Sequence, residues 1–261
     1  MDLELELLIL AGFLVGVIVG LTGVGGGALM TPLLLFIFGV APVTAIGTDL
    51  WFAAITKMAA GKMHHAKGLI DWQILCRMWS GSLPAAIIMI LLMHNGFVAL
   101  NVSFLKTAVA IAILITALSM LFQKHLHGLG KNLRISDAEH FKKWQPILTV
   151  IAGVILGTLV TLTSIGAGAV GVVMLTYLYP LRLTPARLVA TDIVHAIPLA
   201  MFAGLGHLFI GNIDFGLLGW LLMGSIPGVL IGATFSSRLP QAPLRIAIAI
   251  VLGLVALKLL L

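Results

Sequence analysis

The sequence predicts an all-α integral membrane protein made of two inverted-topology repeats, each of about five helical segments, with short or re-entrant helices broken at glycine-rich tips. Three observations carry this expectation. Apolar residues fill 61% of the 261 positions and charged residues 9%, with a mean hydropathy of +1.18, whereas soluble domains run near half apolar and about a quarter charged. Long runs of Leu, Ile, Val and Ala recur along the chain. The second half repeats the first, residue for residue, over a long ungapped stretch.

A chain this poor in charge lacks the side chains to cover a water-facing surface. That excludes a soluble enzyme, a nucleic-acid binder and a secreted disulfide scaffold. The lone cysteine, Cys76, has no partner in the chain for a disulfide. The net charge of +6 is small and dispersed, as expected of cationic membrane loops and not of a nucleic-acid footprint. The start, Asp2-Leu3-Glu4-Leu5-Glu6, is acidic, the wrong sign for a signal peptide. Alternating apolar strands of the β-barrel kind are missing, so helices, which satisfy their own backbone in lipid, are expected to form the spans.

Apolar runs fall near residues 7–21, 28–40, 43–60, 72–93 and 98–122, and again near 147–163, 169–181, 185–204, 214–234 and 243–261. Between the two sets lies a polar stretch from Gln123 to Gln145. The expected organisation is a first transmembrane repeat over 1–122, a cytoplasmic linker over 123–145 and a second, inverted repeat over 146–261. Crossing a hydrocarbon core of ~30 Å takes about 20 helical residues. The first two runs of each half fall short of that and read as short or re-entrant helices joined by a glycine tip.

An offset of 143 aligns Pro42 with Pro185, Thr48-Asp49 with Thr191-Asp192, Gly61 with Gly204 and His64 with His207. It also aligns Ile70-Asp71 with Ile213-Asp214, and Gly81-Ser82 and Pro84 with Gly224-Ser225 and Pro227. Residues 42–84 hold 15 identities to 185–227 without a gap, and matched Asp, His and Pro do not come from apolar bias. At the same offset Gly23 and Gly25 fall on Gly166 and Gly168. Charge then orients the copies. The loop 61–71 holds Lys62 and Lys67, with Lys57 nearby, while 204–214 has no Lys or Arg. The turn 40–43 is uncharged while its counterpart has Arg182 and Arg187, and 94–101 lacks the cations that Arg238 and Arg245 supply opposite. Cations gather in cytoplasmic loops, so equivalent loops face opposite sides, as in the inverted repeats of many secondary transporters. Both termini are then expected outside and the linker cytoplasmic.

Two glycine-rich tips are the candidate substrate site: Thr22, Gly23, Gly25 and Gly26 in the first copy, and Ser164, Gly166 and Gly168 in the second. A helix that starts after such a tip presents free N–H groups and a positive dipole end, a cradle for an anion that needs no charged side chain. The alternative is that the glycines serve close packing. A phosphate-loop reading fails, since no strand precedes Gly23 and no Gly-Lys-Ser/Thr ends the run. Asp49 and Asp192 sit deep in apolar helices, where a carboxylate is costly, and they recur at equivalent positions. Both a proton-coupling or gating role and a structural one, bonding the tips in place, stand open. Thr48 and Thr191 read as hydroxyls for backbone or ligand.

Lys57 and Lys106 face Ala200 and Ala249 in the other copy and read as snorkelling cations near span ends. Asp71-Trp72 and Asp214-Phe215 read as helix N-caps followed by interfacial aromatics. Pro84 and Pro227 are expected to kink their helices. His64, His65 and His207 suggest hydrogen bonding at loop edges, since no metal motif accompanies them. Asp192 and His195 are spaced to share a helical face and bond, the one feature that suits an intramembrane enzyme. No metal and no cofactor are expected.

The stretch Gly20-Leu21-Thr22-Gly23-Val24-Gly25-Gly26-Gly27 with Thr31-Pro32, then Ala45-Ile46-Gly47-Thr48, and then Gly68-Leu69-Ile70-Asp71-Trp72, resembles the TauE/SafE-type sulfite exporter family. The likeness covers nearly the whole chain, duplication included; Ala167 and Ala169 beside the second copy's glycines depart from it. The resemblance implies a bacterial inner-membrane secondary transporter, not an enzyme, that exports sulfite, sulfoacetate or a related organosulfonate. Its partners are then a small sulfur-containing anion, protons and the lipid bilayer, with no nucleic acid. A passive anion channel would share the same features.

Overall fold

The computed structural model describes residues 2–22, 27–65, 68–97, 101–136, 138–235 and 241–260. Ten helices account for nearly all of them: α1 (Asp2–Thr22), α2 (Gly27–Phe36), α3 (Pro42–His65), α4 (Trp72–His94), α5 (Val102–Ser136), α6 (Ala138–Thr163), α7 (Ala169–Leu178), α8 (Pro185–Phe209), α9 (Phe215–Phe235) and α10 (Gln241–Leu260). No strand occurs among the described residues. Each apolar run of the sequence is one helix, and seven of the ten are long and apolar enough to cross a bilayer: α1, α4, α5, α6, α8, α9 and α10. The chain is a multi-pass, all-α membrane protein.

Two expectations about length need correction. Only the second segment of each half is short. α2 and α7 have 10 residues each, about 15 Å at 1.5 Å per residue and half a hydrocarbon core. α1 has 21 residues and α6 has 26, enough to cross. Their apolar runs look short because hydropathy falls off at Glu4 and Glu6 and at the polar stretch before Ile147, whereas the backbone hydrogen-bond ladder continues through polar residues. The linker region 123–145 is likewise helical on both sides of residue 137. The 35-residue α5 runs through its first part, and α6 begins at Ala138. α6 is anchored where it enters the apolar part of the molecule. The Gln145 amide donates to the Leu178 carbonyl, and Thr149 Oγ1 lies 2.7 Å from the Tyr179 hydroxyl.

Glycines set the tightest contacts. Gly12 and Gly16 of α1 lie against the backbone of Leu221 and Ser225 in α9, and Gly224 and Gly228 lie in turn against Ile9 and Phe13. A Cβ at any of them would overlap a carbonyl oxygen. This spacing of four brings backbones together where lipid offers no hydrophobic drive to associate. α4 and α6 pair the same way, with Gly81 against Val150, and Gly153 and Gly157 against Met78 and Ser82. Met78 and Ser82 are the 143-offset equivalents of Leu221 and Ser225. The α1–α9 pair thus matches the α6–α4 pair, though the glycines of α1 and α6 correspond at an offset of 141 (Gly12 to Gly153, Gly16 to Gly157). Pro84 and Pro227 lie inside α4 and α9, which continue through them.

Between these two glycine-packed pairs run α3 and α8, which pack on each other. Thr48, Asp49, Thr191, Asp192 and His195 have no exposed surface.

Candidate functional site

The segment 164–168 opens α7, and its backbone cannot be an ordinary one. Ser164 sits at φ +61°, Gly166 at +124° and Gly168 at +127°. The last two values are open to glycine and hardly to any L side chain. α7 then starts at Ala169, with no side chain capping its N-terminus. The start of α2 meets this tip: a Cβ on Gly27 would overlap the Ser164 carbonyl and stand 3.1 Å from Asp49 Oδ2. Gly27 therefore lets a helix of the first half touch the broken backbone of the second. Gly23, Gly25 and Gly26 lie outside the described residues. Thr22 closes α1, its hydroxyl donating to the Ile18 carbonyl at 2.7 Å.

Asp49 and Asp192, fully buried on α3 and α8, both face this region. Thr31 of α2 donates its hydroxyl to Asp49 Oδ2 at 2.5 Å, while Oδ1 has no partner among the described residues. The Ser164 hydroxyl is turned towards Asp49, yet it makes no hydrogen bond of adequate geometry. Asp192 lies against the start of α7: a Cβ on Gly171 would overlap its Oδ1. The Gly168 backbone N–H is turned towards it, yet neither of its oxygens has a hydrogen bond of adequate geometry among the described residues. The two carboxylates thus stand at the starts of the two short helices, one from each half of the chain.

The residue that sequence reasoning misplaced is Lys57. Its position near the end of an apolar run suggested a snorkelling cation, but it is 2% exposed. α3 extends past that run to His65, so Lys57 lies more than two turns from the helix end. Its Nζ donates to the Ala167 carbonyl in the tip at 3.1 Å. Asp192 and Asp49 both attract it, yet it forms no ion pair within 4.0 Å among the described residues. Ammonium, tip and the start of α2 line a small cavity with Leu50, Ala53 and Ala196, roomy enough for a water and no more. The signal available in the sequence was the pairing of a Lys with Ala200 in the other copy, two turns beyond a buried Asp. Lys106, paired with Ala249, is exposed on α5, as expected of a snorkelling cation.

A second small cavity is lined by Thr22, Gly168 and Ala169 together with Gln123 and Arg245. Arg245 Nη1 donates to Gln123 Oε1 at 2.7 Å. Residues of the tip thus line two cavities, one with Lys57 and one with Arg245.

The rest of the predicted constellation is scaffold. Thr191 Oγ1 accepts from the backbone N–H of Asp71, and Thr48 Oγ1 accepts from that of Asp214, each at 3.1 Å. The hydroxyls serve backbone, and each half's threonine holds the other half's loop. Asp71 and Asp214 cap α4 and α9, accepting from Ile74 N at 3.2 Å and Leu217 N at 2.9 Å; Trp72 and Phe215 beside them are exposed. Arg182 grips Asp71 with two bonds of 2.8 Å, and Arg187 approaches it at 3.6 Å. The cationic turn before α8 and the loop before α4 therefore lie at the same end of the molecule. His195 does not bond Asp192. Its Nε2 lies 2.9 Å from Ser82 Oγ, and Nδ1 has no partner among the described residues, so the pair that suited an enzyme is not formed. His207 lies in the last turn of α8, beside the loop as expected, but is buried, and Nε2 donates to the Thr161 carbonyl at 3.0 Å. The side chains of His64 and His65 lie outside the described ones.

Comparison with known proteins agrees with this architecture. The family model for the sulfite exporter TauE/SafE matches residues 8–259. A probable membrane transporter protein of Bacillus subtilis, YjnA, is 36% identical across 97% of this chain and 98% of its own length. A second from that organism, YdhB, is 28% identical across 97% and 99%. A probable membrane transporter protein of Methanocaldococcus jannaschii is 31% identical across 99% and 96%. No solved structure matches the chain.

Proposed function

Given that the chain belongs to the TauE/SafE sulfite exporter family of membrane transporters, we propose that it exports a small sulfur-containing anion, such as sulfite, sulfoacetate or a related organosulfonate, as a proton-coupled secondary transporter working by alternating access. The observation that carries this reading is the meeting of two buried carboxylates, one per half, at the starts of two half-length helices, with a buried ammonium between them and a broken backbone segment. Half-helix starts beside irregular backbone are where transporters place anionic substrates. In this reading Thr22, Gly23, Gly25 and Gly26 and Ser164, Gly166 and Gly168 contact the anion through backbone N–H and hydroxyl groups. Asp49 and Asp192 carry the proton or gate the site.

Three further features support the reading. Equivalent threonines hold the opposite half's loop with bonds of equal length, as expected of an inverted repeat. The cationic turn before α8 and the loop before α4 share one end, which supports reading that end as the cytoplasmic face of a bacterial inner membrane, with both termini outside. The cavity at Lys57 has room for about one water, which supports a carrier that must move to pass an anion.

Flux into proteoliposomes tests it, with sulfite, sulfate, thiosulfate, sulfoacetate and taurine loaded separately, with and without an imposed pH gradient. Uphill movement of one anion that stops when the gradient collapses is the expected result. Downhill flux indifferent to the gradient would establish the channel instead, and an anion without sulfur moving best would overturn the substrate class.

A further inference from the structure

We propose that Lys57 is the anion's own ligand, and that its bond to Ala167 is a latch which the anion releases on entering. The inference rests on the anion-transport reading above and extends it to a residue that only the first half carries. An ammonium has three donors and, when buried, needs them satisfied and its charge balanced. Among the described residues Lys57 uses one donor, on the Ala167 carbonyl, and has no carboxylate within ion-pair distance. Asp49 and Asp192 attract it from farther off, which offsets its charge without occupying its hydrogens. The ammonium therefore faces the cavity with bonding capacity in hand. Ser164, 6% exposed, lines the same cavity, its hydroxyl turned towards Asp49 without a hydrogen bond of adequate geometry. A charged donor with a hydroxyl beside it in one small space fits an oxyanion and not an apolar ligand.

Size supplies the mechanical half of the proposal. The cavity admits a water, and a sulfur oxyanion with three or more oxygens is larger. Its entry has to displace a wall. Leu50 and Ala53 belong to continuous helix, whereas Ala167 lies between Gly166 and Gly168, two residues whose positive φ leaves the backbone free to take other conformations. The tip is the wall that yields. An anion that takes over the Lys57 donors leaves the Ala167 carbonyl unbonded and frees the tip, whose residues line both the Lys57 cavity and the one at Arg245. Binding and opening are thereby one event. A side chain at position 200 in the other half is a methyl, so that half has no corresponding latch.

The test uses the purified full chain and two readouts. The first is the rise in melting temperature in detergent on adding sulfite, sulfate, phosphate or chloride, which needs no transport. The second is the half-saturating concentration and maximal rate of sulfite flux in proteoliposomes. Expected are a saturable rise for the wild type with an oxyanion and its loss in Lys57→Gln. In flux, Lys57→Gln should raise the half-saturating concentration at least tenfold, Lys57→Arg should raise it less, and the exposed Lys106→Gln should stay within twofold of wild type. A merely structural lysine would lower folded yield and maximal rate without moving half-saturation, and that pattern overturns the proposal, as does a wild type that no oxyanion stabilises. If Lys57→Gln does not fold, Lys57→Arg decides, and half-saturation equal to wild type sinks the idea. Saturable, Lys57-dependent stabilisation without gradient-driven flux would keep the latch and overturn the transport reading. Driven flux indifferent to Lys57 would do the reverse.

Discussion

α3 and α8 are copies of one helix, and the differences between them mark where the scaffold ends and the site begins. Both keep a Thr-Asp pair at the same depth, and in both the threonine hydroxyl accepts from the backbone N–H of the loop entering the other half. Around that shared frame the side chains diverge. α3 has Lys57 where α8 has Ala200, and Phe52 where α8 has His195. Asp49 has a threonine donor from α2, while Asp192 has no hydrogen-bond partner among the described residues. The duplicated features hold the helices against each other; the unduplicated ones put one positive charge near two negative ones. A symmetric site would hold two cations or none, so the asymmetry gives it a single cation.

The equivalence of the two helices can be broken most severely at one buried pair. Gly47 and Ala190 correspond, but a Cβ on Gly47 would overlap the Asn212 carbonyl, whereas Ala190 already carries one and is fully buried. Gly47→Ala is expected to cost about 3 kcal/mol or more, since backbone must move off backbone. Ala190→Gly should cost about 1 kcal/mol from helix propensity and a small void. Thermal unfolding of the purified protein in detergent measures both. Equal losses would mean that the Asn212 loop gives way easily and the packing difference is not real.

The carboxylates come next. Asp49→Asn and Asp192→Asn keep shape and remove the titrating group. Each is expected to fold and to lower gradient-driven flux at least 30-fold, about 2 kcal/mol of barrier. Flux across a pH series sharpens the comparison. A variant that keeps the wild-type pH dependence removes that aspartate from the coupling role and leaves it to the other half.

How much of this was open to sequence reading differs between frame and site. The ten helices, the duplication and both N-cap aspartates follow from apolar runs, the 143 offset and the Asp-aromatic pairs, because burial and capping act through local pattern. α1 and α6 were read too short because hydropathy tracks the solvent around a helix, whereas the helix itself ends where backbone bonding ends. Lys57 was misplaced for the same reason: the polar last turns of α3, out to His65, hid how deep it lies. The His195–Asp192 pairing failed because spacing gives proximity on a face and says nothing of Ser82, which comes from α4 and takes the imidazole. Tertiary partners of a buried polar group are not written in its own helix.

Smaller effects test the shared frame itself. Thr48→Val and Thr191→Val each leave one backbone N–H, of Asp214 or Asp71, without its acceptor. A loss of about 1–2 kcal/mol is expected for each, and the two should agree within about 0.5 kcal/mol if the reciprocal bonds do equal work. A much smaller loss in one, by thermal unfolding, would show that loop relaxing onto water.

The smallest effect concerns the ion pair of Arg182 with Asp71, which has no counterpart at Asp214 among the described residues. Arg182 holds Asp71 bidentately, while Asp214 shows a cap bond and no cation among the described residues. The Asp71 side chain is 5% exposed but that of Arg182 is 42% exposed, so solvent and salt screen much of the attraction. Arg182→Gln should therefore cost less than about 1 kcal/mol. Raising salt from 0.1 M to 1 M contracts the screening length from ~10 Å to ~3 Å, so the gap between wild type and variant should narrow as salt rises. A gap that does not change with salt would mean that Arg182 acts through packing on the Tyr179 ring, 5.9 Å from its guanidinium carbon, and not through charge. In that case the two loop ends differ in how they are packed, and the cationic turn contributes to membrane orientation alone.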